Sequence, residues 1–509
     1  MNETVSLSLP GGHYLVLGLG LTGQAVARWL AAQGHGLVLV DTRTDLALDE
    51  LRADLSGAEV TWHLGAELDP QLFAPVDSVV ISPGLSPHQS PVAEFLSQAQ
   101  AAGKSVIGDI ELFAQALASL GQSHEYRPIV LAVTGTNGKT TVTALARHML
   151  ESCGLRVVAA GNIAPPVLQV LTQMLDEPLE QWPQAWVLEL SSFQLHFTAT
   201  LAPKAAVVLN LTQDHLDWHA SFDEYRADKA RIFANAEICI VNRDDAQVAK
   251  MVQSLDQMNV RSFGLGAPLL THDAGLQSSH DVRWLVSAEP EEFEDQIKPI
   301  KRRKGEPPRS RAPGRLVRLM PSDALPLVGD HNTLNVMAAA LLSRAAGCGW
   351  APILKAAGSY AGEPHRMQFV RTIRDVDFYN DSKGTNVGAT VAAVTGLDKP
   401  VVLIAGGIAK GQDFGPLTQA LARKVRHVLL IGQDAALIQS ALSASGIESE
   451  ILSDMTAAVR TAFARAQPGQ VVLLSPACAS FDMFKGYGHR GEVFMGEVAE
   501  LALTLGEVA

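Results

Sequence analysis

No stretch of this chain approaches the roughly 18 consecutive apolar residues that a membrane-spanning helix needs. Its first residues, MNETVSLSLPGG, hold no basic segment followed by an apolar core. Neither a membrane span nor a secretory leader is therefore expected. Cysteine is sparse: Cys153, Cys239, Cys348 and Cys478 stand far apart, which indicates neither a zinc site nor a disulfide framework and fits a reducing cytoplasm. Basic residues are in deficit, 40 Lys plus Arg against 53 Asp plus Glu, for a formal net charge of −13. That balance argues against nucleic acid as the main partner, while leaving room for a small anion in a local basic pocket. What the chain does have is length. Its 509 residues exceed one core, and a prior of about 150 residues per domain gives roughly three.

The most informative stretch is IVLAVTGTNGKTTVTALARHM at 129–149. A short apolar run rich in β-branched residues predicts a strand over 129–133, and Val142, Leu145, Ala146 and Met149 then recur at helical spacing. Between them stand Gly135, Thr136, Asn137, Gly138, Lys139, Thr140 and Thr141. Glycines let successive N–H groups turn toward an anion, and the helix N-terminus adds its positive dipole end. Lys139 can reach terminal phosphates and Thr140 can ligate Mg²⁺. The general phosphate-loop pattern would put glycine where Val133 stands, so this is a shortened variant.

Upstream, HYLVLGLG runs from a strand into Gly18-Leu19-Gly20-Leu21-Thr22-Gly23, a G-x-G-x-x-G before a helix at 24–32. This predicts a Rossmann-like unit. A second strand at 36–40 ends at Asp41, making Asp41, Thr42 and Arg43 a ligand-facing loop, and a third at 78–81 runs into Ser82-Pro83-Gly84. Open α/β sheets bind ligands at such strand ends. Taken alone, this suggests a dinucleotide-binding dehydrogenase, yet the same backbone cradles the pyrophosphate of any nucleotide diphosphate.

Beyond the phosphate loop, a buried strand at 185–190 carries Glu189, placed to hold Mg²⁺ directly or through water. A strand at 205–211 delivers Asp214, His215, Asp217 and His219, which read either as surface decoration or as site chemistry. Lys229 shares helical spacing with Tyr225 and Phe233, so it either faces the same cleft or is a solvated charge. Residues from about 266 to 322 break the pattern, with an acidic run (Glu291, Glu292, Glu294, Asp295) and then KPIKRRKGEPPRSRAPGR. This reads as a surface insertion. From about 363 the chain again alternates strands (401–405, 428–431, 471–474) with helices, a third doubly wound unit. Thr385, Lys410, Ser480, Phe481 and Tyr487 lie in or beside its loops and make a polar pocket suited to an amino-acid carboxylate. The expected architecture is α/β with three doubly wound domains: 1–118, 119–362 and 363–509.

Six segments together resemble the Mur ligases, ATP-dependent amide-forming enzymes of bacterial cell-wall precursor synthesis. They are TGTNGKTT, LELSSFQL, the Asp214-His215 pair after LNLTQ, GDHNTLN at 329–335, PHR at 364–366 and NDSKGTN at 380–386. GLGLTG with DTR, and SPACASFDMFKGYGHRG near the end, look most like the members that add D-glutamate to UDP-N-acetylmuramoyl-L-alanine. A D-N-P-R signature of the diaminopimelate-adding relatives is absent.

The resemblance implies that Leu21, Thr22, Ser82 and Gly84 hold a UDP-sugar, with Asp41, Thr42 and Arg43 near uracil. It implies that Thr140 and Glu189 serve one Mg²⁺, and that His215 and a carbamylated Lys229 serve a second. Asn162, in GNIAPP, would face the UDP-muramyl substrate; Asn332, Asn335, Arg366 and Asp381 would face ATP. Lys139, His215 and Lys229 are then the catalytic candidates, and the five C-terminal residues the amino-acid site. Tyr487 stands where D-glutamate-adding members often have phenylalanine, and the insertion has no counterpart in shorter members. Small-molecule substrates, a monomer and a cytoplasmic location are expected. A dehydrogenase would leave the phosphate loop unexplained, and a regulatory nucleotide-binding module would have no need of a third domain with its own polar pocket.

Overall fold

The computed structural model describes residues 12–291, 311–327, 329–409, 411–422, 424–443 and 445–507. Strands β1 (His13–Leu17), β2 (Gly36–Asp41), β3 (Val60–Leu64), β4 (Ser78–Ile81) and β5 (Ser105–Ile107) form a parallel sheet in the order β3-β2-β1-β4-β5. Strand order reverses between β1 and β4, so the loops at 18–23 and 82–84 lie at the switch point where such sheets take ligands.

The central sheet comprises β6 (Ile129–Thr134), β7 (Val157–Gly161), β8 (Ala185–Glu189), β9 (Ala205–Val208), β10 (Ile238–Asn242), β11 (Val260–Phe263), β12 (Ala274–Ser279), β13 (Val282–Glu289) and β14 (Arg315–Pro321). Their order is β14-β13-β12-β11-β10-β9-β6-β8-β7. It is parallel from β7 to β12 and antiparallel beyond. Because β6 lies between β8 and β9, the phosphate loop, Glu189 and the 209–219 segment emerge side by side. The third sheet, β15 (Gln368–Ile373), β16 (Val376–Asn380), β17 (Val401–Gly406), β18 (Val425–Ile431), β19 (Glu448–Ile451) and β20 (Val471–Leu474), runs β15-β16-β20-β17-β18-β19. Only its β15–β16 pairing is antiparallel. The chain divides into two compact units, Met1–Pro321 with Met337–Ala357, and Ser322–Val336 with Gly358–Ala509. The first carries two sheets and the second carries one. No helix among the described residues is long and apolar enough to cross a membrane.

The three α/β sheets, one parallel throughout and two with an antiparallel edge, follow the expected fold class, but the reading of 266–322 as an insertion outside the pattern needs correction. Residues 274–289 and 315–321 are strands that lengthen the central sheet, with β12 and β13 joined through His280 (φ 49°) and Asp281 (φ 62°). Both central residues lie in the left-handed region, the geometry of a tight hairpin turn. Arg311 enters the buried end of this edge and pairs with Asp273 at 2.6 Å. The charged run at 291–310 dominates the composition and masks the alternation in VRWLVSAE. Residues 292–310, which hold Glu292, Glu294, Asp295 and most of the basic stretch, lie outside the described residues.

In the first unit the two sheets share a continuous apolar core. Trp29, Leu30 and Phe113 from first-sheet helices join Leu168, Leu171 and Trp186, with Phe113 edge-on to Trp186 at 4.9 Å. Polar latches flank it. The buried Glu111 carboxylate accepts from Ala199 N (2.7 Å), Thr200 N (2.9 Å) and Thr200 Oγ1 (2.7 Å). Ser86 Oγ donates to Trp218 O (2.6 Å), and Trp218 Nε1 donates to Pro83 O (3.1 Å).

Burial alone would raise the Glu111 pKa, but these donors outweigh it and hold the carboxyl below its usual value of 4.5. A depressed carboxyl contributes stability that is present above the unfolded pKa and lost as pH falls through the folded one. Glu111→Ala should therefore cost about 2–4 kcal/mol near neutral pH. The gap to wild type should narrow below pH 4, as read by unfolding at both pH values. An equal gap at the two pH values would show that the carboxylate charge is not what holds the latch.

Candidate active site

The phosphate loop is built by local backbone constraints. Gly135 (φ 154°) packs so closely that a Cβ there would meet Leu209 Cβ at 2.9 Å, and Gly138 (φ 85°) takes the left-handed conformation at the start of the helix Lys139–Ser152. The loop is pinned from the strand beside it. Thr136 N donates to Asn210 O (3.0 Å), Asn137 N donates to Asn210 Oδ1 (2.8 Å), and Asn210 Nδ2 donates back to Asn137 O (3.0 Å). Thr136 Oγ1 also meets Tyr225 OH at 2.9 Å. Lys139 folds over the loop, its Nζ donating to Gly135 O (3.0 Å) and Thr136 O (2.9 Å).

Glu189 ends β8 and is 2% exposed. Its Oε1 accepts from Asn162 Nδ2 (3.0 Å), while Oε2 is buried with no hydrogen-bond partner. A Cβ on the neighbouring Gly161 (φ 113°) would lie 2.3 Å from the Glu189 carbonyl oxygen, so only glycine permits this approach. A buried carboxylate oxygen without a donor is costly alone and well matched to a hard cation.

Of the two readings of Lys229, the buried one holds. The side chain is 2% exposed, with Nζ donating to Gly135 O (2.9 Å) and Thr134 Oγ1 (3.3 Å) above the Tyr225 ring. Burial first, and the charge of Lys139 second, pull its pKa well below the usual value. His215 sits at φ 55°, with its ring edge-on to Phe193. Burial lowers its pKa; Asp214 opposes the shift, and Lys139 and Lys229 add to it. The neutral imidazole is the ligating form.

The 212–219 segment divides its labour. Trp218 and His219 face the sheet–sheet junction, where buried His219 bonds Ser192 Oγ through Nε2 (2.9 Å) and turns Nδ1 toward Asp228 (3.3 Å). Asp228 also holds His196 (2.9 Å), and His88 pairs with Glu224 (2.7 Å). Among the described residues, His196, Glu224 and Asp228 have metal-ligand spacing. Glu224 and Asp228 each already pair with an imidazole, and the set clamps the helix Phe222–Ala230 that carries Lys229.

At the first sheet, Asp41 is 3% exposed and its carboxylate is saturated. It accepts from Leu19 N (2.7 Å), Arg43 N (2.9 Å), Arg43 Nε (2.9 Å) and Arg43 Nη2 (2.8 Å). Burial would raise its pKa, but Arg43 and the Leu19 N–H hold it down. Asp41 thus shapes the glycine turn and aims Arg43, with no lone pair left for the ribose contact a dehydrogenase needs. A Cβ on Gly23 would lie 1.9 Å from Gly18 O, which Ser82 Oγ also bonds at 2.6 Å. Leu21, Thr22 and Thr42 stand at the surface around this turn, and Gly84 has open space beside it.

In the second unit, Asn335 Nδ2 donates to Asn332 Oδ1 (3.3 Å), both side chains being buried near the start of the helix Asp330–Ala345. Buried Asp381 accepts from Ser475 Oγ (2.7 Å) and Met367 N (3.2 Å), and burial raises its pKa to about 6. Arg366 lies near enough to pull that value down. Thr385 closes the loop after β16, its N–H donating to Lys383 O (2.8 Å). Ser480 is buried, Phe481 is 71% exposed, and Lys383 Nζ lies 3.7 Å from the centre of the Tyr487 ring. Lys410 lies outside the described residues. Sequence reasoning missed Lys383, Asn210 and the clamp formed by Asp228. Lys383 stood within the NDSKGTN segment and Asn210 within LNLTQ, whereas Asp228 carries no local signal.

The chain matches three family descriptions: Mur ligase MurD-like, N-terminal domain (residues 12–108), Mur ligase middle domain (133–343) and Mur ligase, glutamate ligase domain (365–478). A UDP-N-acetylmuramoylalanine--D-glutamate ligase of Bordetella bronchiseptica is 54% identical over 512 residues, 100% of both chains, so the alignment runs through 266–322 as well. The ligase of the same name from Ralstonia nicotianae is 49% identical over 494 residues, 97% of both. Among solved structures, MurF from Acinetobacter baumannii is similar with a TM-score of 0.55 at 18% identity, over 85% of this chain and 92% of that one. UDP-N-acetylmuramate-alanine ligase from Thermotoga maritima gives 0.52 at 16% identity, over 96% and 100%. At such identities the structures speak for the fold, and the full-length sequence relatives speak for kinship: the chain belongs to the Mur ligase family.

Proposed function

We propose that this chain is an ATP-dependent, ADP-forming ligase that joins D-glutamate to UDP-N-acetylmuramoyl-L-alanine through an acyl phosphate. The observation that carries the reading is the arrangement at the phosphate loop, where an unpartnered buried carboxylate oxygen and a buried lysine whose pKa is pulled down accompany a loop built for anions. Relatives of that activity, alike over the whole chain, supply the substrates. On this reading residues 1–118 bind the UDP-substrate, 119–362 bind ATP and 363–509 bind the amino acid, in a cytoplasmic monomer without nucleic-acid or membrane partners.

A carboxylate is a poor acyl donor because its leaving group would be oxide. Its oxygen attacks the γ-phosphorus, the bond to the β–γ bridging oxygen breaks, and ADP leaves. The unprotonated amine of D-glutamate then attacks the acyl carbon, and the tetrahedral adduct gives up its extra N–H proton to the departing phosphate as the C–O bond breaks, leaving the amide. Lys139 and the loop N–H groups hold the phosphates in line and meet the charge that builds during transfer. Asn332, Asn335, Arg366 and Asp381 hold the nucleotide, and Arg43, with Leu19 and the glycine turn, orients uracil and pyrophosphate. Asn162 holds Glu189 and faces the muramyl portion. Thr140 and Glu189 would hold one Mg²⁺, and His215 with a carbamate on Lys229 a second. Bound Mg²⁺ would supply charge neutralisation at the phosphoryl oxygens. Thr385, Lys410, Ser480, Phe481 and Tyr487 surround the amino acid. The saturated Asp41 carboxylate leaves a nicotinamide-dependent reading without its ribose contact.

With UDP-N-acetylmuramoyl-L-alanine and ATP, D-glutamate should be turned over faster than L-glutamate, L-alanine or a diamino acid, as judged by product mass. A faster rival would replace the substrate assignment.

Lys139→Ala should lower turnover on the order of 10²-fold or more while calorimetric affinity for the UDP-substrate is kept. Equal loss of that affinity would mean the loop serves both ligands.

CO₂ reacts only with a neutral amine, and the surroundings of Lys229 favour that form. Lys229→Arg keeps a cation but cannot form a carbamate, so it should lose activity nearly as fully as Lys229→Ala. Wild-type protein in ¹³C-bicarbonate should show a carbamate carbon resonance that the arginine variant lacks. Near-wild-type turnover of the arginine variant, or no such resonance in wild type, would defeat the carbamate.

A further inference from the structure

Arg490 is among the most buried side chains of the molecule, 1% exposed, in the first turn of the helix Tyr487–Thr504. Its guanidinium spreads over three loop regions. Nε donates to Ser382 Oγ (3.0 Å) and Nη2 to Ser382 O (2.8 Å). Nη1 donates to Cys478 O (3.1 Å) and, at the limit of range, to Gly406 O (3.5 Å). Ser382 Oγ passes the connection on to Tyr487 O (2.8 Å). These are the loops that bear Thr385, Ser480, Phe481 and Tyr487, and Gly406 ends the strand whose following loop leads to Lys410.

Among the described residues no carboxylate lies within ion-pair distance of Arg490, so its acceptors are neutral carbonyl and hydroxyl oxygens. Burial pulls its pKa down to about 10, which still leaves it charged at neutral pH. Asp482 and Asp381 act on it only from beyond contact, and a buried cation with no carboxylate in direct contact is expensive if packing were its only task. Its planar fork, however, fixes several acceptors in one plane, which an ammonium cannot do. Its charge also lies in the unit that carries the proposed pocket for an amino acid with two carboxylates.

We infer that Arg490 is a positioning residue for the amino-acid substrate, holding the loops after β16, β17 and β20 in the register that the pocket requires. The inference rests on the amino-acid pocket proposed above. Asp381, on the nucleotide side of the same loop, feels the Arg490 charge but takes its direct hydrogen bonds from Ser475 Oγ and Met367 N. Arg490→Lys keeps that charge and removes the fork, so it should act on the amino acid and spare ATP.

Arg490→Lys tests this, with steady-state constants for all three substrates, thermal unfolding, and calorimetric binding of UDP-N-acetylmuramoyl-L-alanine as a measure of folded first unit. The expected result is a KM for D-glutamate raised tenfold or more, with KM for ATP and for the UDP-substrate within threefold of wild type. Ser382→Ala, which removes the Nε acceptor and the bond to Tyr487 O but leaves the other Arg490 contacts, should shift the same constant less and in the same direction. An unchanged D-glutamate KM would overturn the inference, as would equal rises for all three substrates with a lowered unfolding temperature, the mark of a purely structural arginine. If wild type prefers another amino acid, the substrate assignment fails by itself, and the same shift measured with that amino acid still decides the role of Arg490.

Discussion

Two lysines share one acceptor. Lys139 and Lys229 both direct Nζ at the carbonyl oxygen of Gly135, at 3.0 and 2.9 Å. Two ammonium ions on one oxygen repel strongly where water is scarce, and desolvation favours the neutral form of the more enclosed one. Lys229 is almost wholly enclosed, whereas Lys139 is only half-buried at the head of its helix. The outcome is a division of labour, with the less buried lysine at the head of the helix and, beside it, an enclosed one pushed toward its neutral form. Much of the surrounding structure maintains that division. Tyr225 lies beneath Lys229 and bonds Thr136 in the loop, while Asp228, gripped by His196 and His219, keeps the helix in place.

The parts of this arrangement that the sequence displays are those whose cause is local. Gly135 to Thr140 is legible because phosphate binding is a property of consecutive backbone amides, and the strand ends at Asp41, Ile81 and Glu189 are legible because buried parallel strands are short apolar runs. The α/β class follows from the same alternation. Burial of Lys229 is not local: a nine-residue helix with mostly polar side chains gives no hint of which face meets the loop. Asp41 was visible as a strand-end acid, yet the Arg43 fork that consumes its lone pairs exists only once the turn is folded. At 266–322 composition misleads, because the charged run outweighs three strands, among them the alternating VRWLVSAE. Arg490 is the extreme case, since an arginine in an HRG triplet beside a glycine-rich turn reads as surface until three distant loops converge on it.

Packing separates the chemistry into two bodies. The first and central sheets share a core across Trp29, Phe113, Leu171 and Trp186, so the glycine turn at 18–23 and the phosphate loop belong to one compact unit. The third sheet has its own apolar layers, Val387, Leu403 and Leu417 on one face and Phe378, Val472 and Phe494 on the other. A pocket for the smallest substrate can then be shaped by loop chemistry within its own unit, without deforming the loop that manages phosphate.

Charge makes the same point more strongly. Every proposed substrate is anionic, yet the chain carries a net charge of −13, so its overall field works against ligand approach. Attraction must come from cations placed at short range and screened from competing carboxylates. Arg43 is aimed by a carboxylate that it neutralises only in part, Lys139 is held by carbonyls, and Lys383 rests on an aromatic ring. Among the described residues, the hydrogen bonds of Arg490 go to neutral oxygens. Dipoles and a ring face fix a side chain without themselves cancelling its charge, and that is the property an anion site in an acidic protein requires.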